Sequence, residues 1–347
     1  MLILGIDTSC DDTCVSLLRI TSCKSRVLSN VISSQVKLHA KYGGIYPLLA
    51  KREHKKNLPV VFKKALRKVH GKKIDLIGIT IGPGLEPCLW EGVNFAKNLA
   101  EKFKIALIPI NHLEAHILIN FLDKSPILNL NSQLFPAVCL VVSGGHTILF
   151  LMEKNRKYKI IGQTRDDAAG ECFDKVARLL GLGYPGGPAI AAEAAKLKTK
   201  NYRLITKLPR PMIYHKNYDF SFSGLKTAVL YDFKSRSQKE RKSKEYTREM
   251  AKEVQQSVVD VLIFKTLKAA REFRAKSIIL GGGVAANEEL RRQFNYELKA
   301  VNQKINFLVP PLQLCTDNAL MIAIATYFNR EKTEKIAKIE SKANLNI

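Results

Sequence analysis

"LILGIDTSCDDTCVSLL" spans residues 2–18, and "FPAVCLVVSGGHTILFLME" spans residues 135–153. Each is an apolar run, a polar bend of small residues, and a second apolar run. Short apolar runs bounded by turn residues read as buried strands, so each stretch predicts a β-hairpin with a phosphate-sized bend. The two hairpins open the two halves of a 347-residue chain. Their echo lies in pattern and not in residue identity, and it predicts two related lobes.

Working outward from the first hairpin, "KREHKKNLPVVFKKALRKVH" (51–70) reads as a strongly basic helix. "DLIGITIGPG" (75–84) is a strand running into a Gly-Pro-Gly turn, followed by the helix "LWEGVNFAKNLAEKF" (89–103). "IALIPINH" (105–112) is a further strand, leading into a helix that carries histidines. The polar stretch "DKSPILNLNSQ" (123–133) marks a linker. Beyond the second hairpin come the helix "DDAAGECFDKVARLLGL" (166–182), the strand, glycine loop and helix of "SIILGGGVAANEELRRQF" (277–294), and the helix "LCTDNALMIAIATYF" (314–328). Strands alternating with helices predict α/β sheets covered by helices. The charged segment "NREKTEKIAKIESKANLNI" (329–347) reads as a frayed tail.

Composition bounds the function. The chain carries 56 Lys and Arg against 31 Asp and Glu, a net charge of +25. A surface this basic suits a polyanion, with nucleic acid the first candidate; lysines that merely solvate the surface are the bland alternative. Ten of the 23 residues from Lys51 to Lys73 are Lys or Arg. The seven cysteines (Cys10, Cys14, Cys23, Cys88, Cys139, Cys172, Cys315) are odd in number and form no C-x-x-C pair, which fits reduced thiols in a cytosolic compartment. No cationic leader opens the chain, and no run approaches the roughly 20 apolar residues of a membrane span. A cytoplasmic globular protein is expected.

Chemistry concentrates in a few segments. In "INHLEAHIL" (110–118), His112 and His116 stand four apart, so a helix places both imidazoles on one face. The spacing resembles the H-E-x-x-H peptidase signature, but the glutamate is displaced by one. At roughly 100° per residue, Glu114 lies about 200° from His112, on the opposite face, and cannot serve as a base on a metal-bound water. Two histidines are too few for a catalytic metal, and Asp317 in "CTDNALMIA" is the candidate third ligand, although an N-cap carboxylate is its default reading. "DTSCDDT" (7–13) packs three aspartates into one bend, able to order a cation or water beside phosphates, or to form a polar hairpin tip. "VVSGGHT" (141–147), "GYPGGPAI" (183–190) and "LGGGVAAN" (280–287) are glycine turns that let a backbone approach a ligand closely. None is G-x-G-x-x-G, so a dinucleotide Rossmann site is not expected.

"GIDTSCDDT", "GPGLEPCLWEGVNFAK", "NHLEAHI", "VSGGHT", "DDAAGECFDKVARLLGLGYPGGP", "FSFSGLKTAV", "GGGVAAN" and "CTDNALMIA" together resemble one family, the universal tRNA threonylcarbamoyladenosine transferases, once named O-sialoglycoprotein endopeptidases. The likeness runs in the family's order from residue 5 to about 325. It implies an α/β fold of the actin/sugar-kinase/Hsp70 type, two related lobes around a nucleotide cleft. The lobes would be 1–123, closed by a C-terminal helix near 315–330, and 124–314, with 331–347 as the charged tail. It implies transfer of a threonylcarbamoyl group from threonylcarbamoyl-AMP to the exocyclic amine of the adenosine 3′ to the anticodon.

By motif position, the resemblance implies that His112, His116 and Asp317 hold one divalent metal, iron (Fe2+) or zinc (Zn2+). Val141, Val142, Ser143, Gly144, Gly145, Asp174, Gly187 and Asn287 would line the substrate's nucleotide pocket. Asp11 would lie close to the reacting group, and Ser223 and Lys226 near the cleft. The partners implied are tRNA and accessory subunits, an inactive paralogue and a small P-loop ATPase, with no membrane. The chain departs from the family pattern in three places. Ala191 stands where an acid is usual, which puts one ribose contact in doubt. Asp7 and Asp12 replace glutamates. The basic insertion "DFKSRSQKERKSKEYTREM" (232–250), read as a helix, is longer than in many relatives.

Overall fold

The structure, a computed structural model, describes residues 1–21, 24–67, 73–122, 132–197, 207–300 and 304–347, without the side chain of Asn155. The expected boundary at 123/124, most of the linker, and the end of the basic stretch lie outside the described residues. Two compact units are present: Met1–Leu130 with Thr316–Ile347, and Asn131–Cys315.

The first unit is built on β1 (Leu2–Asp7), β2 (Asp12–Ile20), β3 (Ser25–Ser34), β4 (Leu76–Gly82) and β5 (Ala106–Asn111), in the order β3-β2-β1-β4-β5. β1, β2 and β3 form an antiparallel meander, while β4 pairs parallel to β1 and β5 parallel to β4. The second unit holds β6 (Ala137–Val142), β7 (Thr147–Met152), β8 (Tyr158–Gln163), β9 (Ser277–Gly281) and β10 (Asn306–Leu308), in the order β10-β9-β6-β7-β8. It too is an antiparallel meander, β6-β7-β8, with two strands parallel to its first member. Both sheets therefore carry one topology, and the two quoted hairpins are β1–β2 and β6–β7.

Burial explains the continuous apolar runs. Every residue of β1, β6 and β7 is buried, as expected of strands covered on both faces. In the first unit one cover is the helix Ala319–Phe328, whose first nine residues are buried. It lies so close that a Cβ on Gly5 would sit 2.2 Å from the Ala319 carbonyl oxygen. Leu320, Met321, Ile322 and Ile324 are each at most 2% exposed. At about 1.5–3 kcal/mol per such side chain, packing holds this helix against the sheet, and with it Asp317 just before its start. The basic helix Pro47–Leu66 buries Ala50, His54, Leu58, Val61 and Ala65, leaving Lys55, Lys56, Lys63 and Lys64 in solvent.

Two expectations are corrected. The basic insertion is not one helix: it spans the end of Ser223–Ser235, a short helix Gln238–Arg241 and the start of Lys244–Glu272. Ser237 and Ser243 each cap a new helix start with their side chains, which breaks the stretch twice. The charged tail does not fray, because Ile339 is 1% exposed within the first unit's core and Ile336 packs beside it. Among the described residues six cysteines are free thiols, and no helix is long and apolar enough to cross a membrane.

Candidate functional site

In the first unit β1, β4 and β5 are parallel, so their C-terminal ends share one edge, the edge where open α/β sheets bind ligands. Asp7 ends β1, and Asn111 ends β5. Asn111 then caps the helix His112–Leu118, its Oδ1 accepting from the Leu113 and Glu114 amides at 2.9 and 3.1 Å. One turn of that helix brings the two imidazoles together, with ring centroids 4.7 Å apart and planes at 84°.

Asp317 completes the group. Its Oδ1 lies 3.4 Å from His112 Nε2 and 3.3 Å from His116 Nε2. The default reading of Asp317 as a helix cap fails, because Asn318 is the cap and accepts from the Met321 amide at 3.2 Å. Asp317 is thereby free to face the histidines. Ligand atoms of His112, His116 and Asp317 all lie within 4.8 Å of one another. A tetrahedral ion with bonds near 2.0–2.1 Å sets its ligand atoms about 3.3–3.4 Å apart, which matches the aspartate–histidine distances. Two histidines and one carboxylate, leaving further positions open, form a donor set suited to catalytic zinc or non-haem iron.

The surroundings have the electrostatics of a cation site. Asp7 Oδ2 lies 3.7 Å from His112 Nδ1, placing a carboxylate behind the ring nitrogen that faces away from Asp317. Asp7 Oδ2, Asp11 Oδ2, Asp12 Oδ1 and His116 Nδ1 are buried without a hydrogen-bond partner among the described residues. Burial raises the Asp7 and Asp11 carboxyls, and lifts Asp12 to about 7. Burial also pushes Asp317 upward, but His112 and His116 outweigh it and hold that carboxyl far below its ordinary range. Burial lowers His112, yet the Asp317 and Asp7 charges reverse this and raise it to about 9; His116 is lowered by burial. Buried carboxylate oxygens that accept no hydrogen bond are what a bound cation would satisfy.

Glu114 faces away from this group. Its Oε2 accepts from Asn329 Nδ2 at 2.9 Å, with both residues buried. Asn329 closes the helix that Asp317 precedes, so the pair ties the histidine helix to the aspartate's helix. Asp11, expected near the reacting group, sits in the same acidic bend, where Asp317 adds to the rise of its carboxyl.

The other expected residues lie in the second unit. Val141 and Val142 end β6, and Ser143–His146 form the turn, with the Ser143 amide donating to the His146 carbonyl at 2.8 Å. Among the described residues a Cβ on Gly144 or Gly145 would meet nothing within 4 Å, so both present open backbone. The Gly170 amide donates to the Ser143 carbonyl at 3.1 Å and joins the helix Ala169–Leu179 to this turn. From that helix Asp174 Oδ1 accepts from the Gly186 amide at 2.6 Å, beside Gly187, where a Cβ would make only an ordinary contact with Phe173 Cδ2 at 3.8 Å. Ala191 lies in the helix Gly186–Ala195. Asn287 does not line open backbone alone. Its Nδ2 donates to Gln255 Oε1 at 2.9 Å and its Oδ1 accepts from the Leu290 amide at 3.0 Å.

Three residues hold places that the sequence did not mark out. Asp7, one of the three acids of the bend and an aspartate where the family has glutamate, backs His112 from the end of β1, a strand parallel to β5. Asn329, six residues beyond "CTDNALMIA", gives no local signal. Asp166 gathers the "FSFSG" segment: it accepts from Ser221 Oγ and Ser223 Oγ at 2.5 and 2.7 Å, and from the Phe222 and Ser223 amides at 2.8 and 3.2 Å. Ser223 is thus engaged with Asp166, at the start of the helix that carries Lys226.

Comparison with known proteins bears on this arrangement. The family model TsaD, described as tRNA N6-adenosine threonylcarbamoyltransferase, matches residues 26–324. A protein of that name from Thermosipho africanus is 43% identical over 350 residues, covering all of both chains. Another from Thermodesulfovibrio yellowstonii is 47% identical over 330 residues, covering 94% of each. Among solved structures, full-length HypF in a phosphate- and nucleotide-bound form aligns with a TM-score of 0.56 at 11% identity, covering 95% of this chain and 46% of that one. Such likeness carries the fold alone, the two-lobed α/β fold of the actin/sugar-kinase/Hsp70 type.

Proposed function

The chain belongs to the tRNA N6-adenosine threonylcarbamoyltransferase family, transferases that make threonylcarbamoyladenosine in tRNA, and from that premise we propose how its residues divide the work. The acyl donor is threonylcarbamoyl-AMP. The acceptor is the N6 amine of the adenosine 3′ to the anticodon, in tRNAs reading codons that begin with adenine. The carbamoyl carbon exchanges its bond to the phosphate oxygen for a bond to nitrogen; AMP departs, and the amine loses one proton.

His112, His116 and Asp317 hold the divalent ion, zinc or iron. When bound there, it supplies Lewis-acid polarisation of an acyl oxygen. The observation that carries this reading is the one carboxylate oxygen set 3.3–3.4 Å from two imidazole nitrogens. Asp7 orients His112 from behind. Asp11 stands in the same bend, close to the reacting group. In the second unit the open turn at Ser143–Gly145, with Val141, Val142, Asp174, Gly187 and Asn287, holds the adenylate part, whose phosphate suits glycine-rich backbone amides. AMP is a good leaving group and the exocyclic amine a weak nucleophile, so positioning supplies much of the rate.

The peptidase reading loses its base, since Glu114 is bound to Asn329 on the far side of the helix. tRNA is met by basic surface such as Lys55, Lys56, Lys63 and Lys64, with an inactive paralogue and a small P-loop ATPase as accessory subunits, in the cytoplasm. The test is to mix the protein, tRNA and threonylcarbamoyl-AMP, then digest the tRNA and analyse its nucleosides. Threonylcarbamoyladenosine that appears only with all three is the expected product. Its absence, with or without the accessory subunits, would overturn the proposal.

A further inference from the structure

After Ile339 anchors in the first unit's core, the chain continues across the C-terminal edge of the sheet. The Lys342 amide donates to the Ile81 carbonyl at 2.7 Å, and the Gly84 amide donates to the Ala343 carbonyl at 3.0 Å. The backbone lies against β4 so closely that a Cβ on Gly82 would stand 1.9 Å from the Lys342 oxygen. Three residues on, the Asn346 carbonyl accepts from Asn111 Nδ2 at 3.2 Å.

Asn111 is the point of interest, because its two side-chain atoms do different jobs. Oδ1 caps the histidine helix by accepting from Leu113 and Glu114, while Nδ2 reaches the C-terminal segment. A planar amide held at one end is oriented at the other. We propose that residues 341–347 form a strap that fixes the N-terminus of the histidine helix, with Asn111 as the positioning residue through which it acts. Its consequence for metal affinity rests on the metal reading given above.

The core's anchor, Ile339, precedes the strap, whose residues alternate between exposed (Lys342, Asn344, Asn346) and half-buried (Ser341, Ala343, Leu345, Ile347), with none fully buried. The strap's contacts fall on the ends of β4 and β5, the latter leading into His112. Partners one shell out from metal ligands commonly matter more for affinity than for folding.

The test compares the full chain with one ending at Glu340, with Asn111→Ser, and with the double change. Serine still caps a helix but is too short to reach Asn346. Hydrogen exchange at the Leu113 and Glu114 amides reads the cap without any metal, and titration of the metal-free protein with Co2+ reads the site. Exchange at these amides should quicken about tenfold in each single variant, while circular dichroism shows the fold retained. The Co2+ dissociation constant should rise by roughly tenfold, with the double variant no worse than either single. Unchanged exchange in the shortened chain, or additive effects in the double variant, would overturn the strap. Failure of the metal reading looks different: the full chain would take up no Co2+, or His112→Ala would take up as much, while amide exchange would still decide the strap.

Discussion

Replacing Glu114 separates a peptidase base from a structural tie. Its carboxylate accepts from Asn329 Nδ2 at 2.9 Å inside the first unit. A hydrogen bond to a charged group is worth about 1.5–3 kcal/mol, and Glu114→Ala also leaves a void, so a loss of about 2–4 kcal/mol is expected. At about 2–4 °C per kcal/mol for a protein of this size, the melting temperature should fall by roughly 5–15 °C. Glu114→Gln keeps an acceptor for Asn329 and should lose only about 1 kcal/mol, the charge assistance. The glutamine variant should therefore retain its metal and most of its transferase activity. Calorimetric melting, elemental analysis and nucleoside analysis on the same preparations provide the readouts. A well-folded Glu114→Gln protein stripped of metal, or devoid of transfer at full metal, would place the carboxylate on the wrong side in our account.

Other outcomes follow from the two units. His112→Ala, His116→Ala and Asp317→Ala should each lose bound metal by elemental analysis while circular dichroism stays unchanged; full metal in all three would refute the triad. Changing Lys55, Lys56, Lys63 and Lys64 together to Ala should flatten the log–log salt dependence of tRNA binding by roughly three units, at about 0.7–0.9 per phosphate contact, and an unaltered slope would leave these lysines to solubility. Lys265 is buried and donates to the Asn217 carbonyl at 3.0 Å, and burial lowers its ammonium from 10.5 to about 8. Between those values the unfolded chain binds more protons than the folded one, so raising the pH through this window should stabilise the fold. Lys265→Met should lack that rise when melting is compared with the parent from pH 8 to 10.5; identical profiles would show that the lysine keeps its ordinary affinity for protons.

What the sequence disclosed, and what it hid, follows from the range of each interaction. The hairpins at 2–18 and 135–153 were legible because strands buried on both faces are apolar at every position. β3 was not, since its residues alternate irregularly between solvent and core. β8 and β10 are short or half-exposed strands with equally weak patterns. The His112–His116 pair was visible because one helical turn relates its members. Asp317 could only be nominated, since nothing local distinguishes a capping aspartate from a ligand. The neighbour decides it: Asn318 takes the capping role. Asn329 and the strap at 341–347 act across more than 200 residues, and a charged composition hid both Ile339 and the backbone bonds that follow it.

One topology used twice also explains how a single chain presents two unlike bends at the ends of its central strands. In each sheet the first hairpin bend stands where the central strand ends, so the bend's composition decides what that edge can bind. The β1–β2 bend carries Asp7, Asp11 and Asp12, each with a buried oxygen that accepts no hydrogen bond from the described residues. Such an edge repels phosphate and invites a cation, and the nearby histidines refine that into a transition-metal preference. The β6–β7 bend carries Ser143, Gly144 and Gly145, with open space above both glycines. Backbone amides there can meet an anion without a side chain intervening. Placing acids in the second bend should abolish adenylate binding and leave metal uptake intact. Gly145→Asp, followed by calorimetric titration with AMP and elemental analysis, makes the comparison. If AMP affinity survived that change, the glycine turn would not be the phosphate's seat.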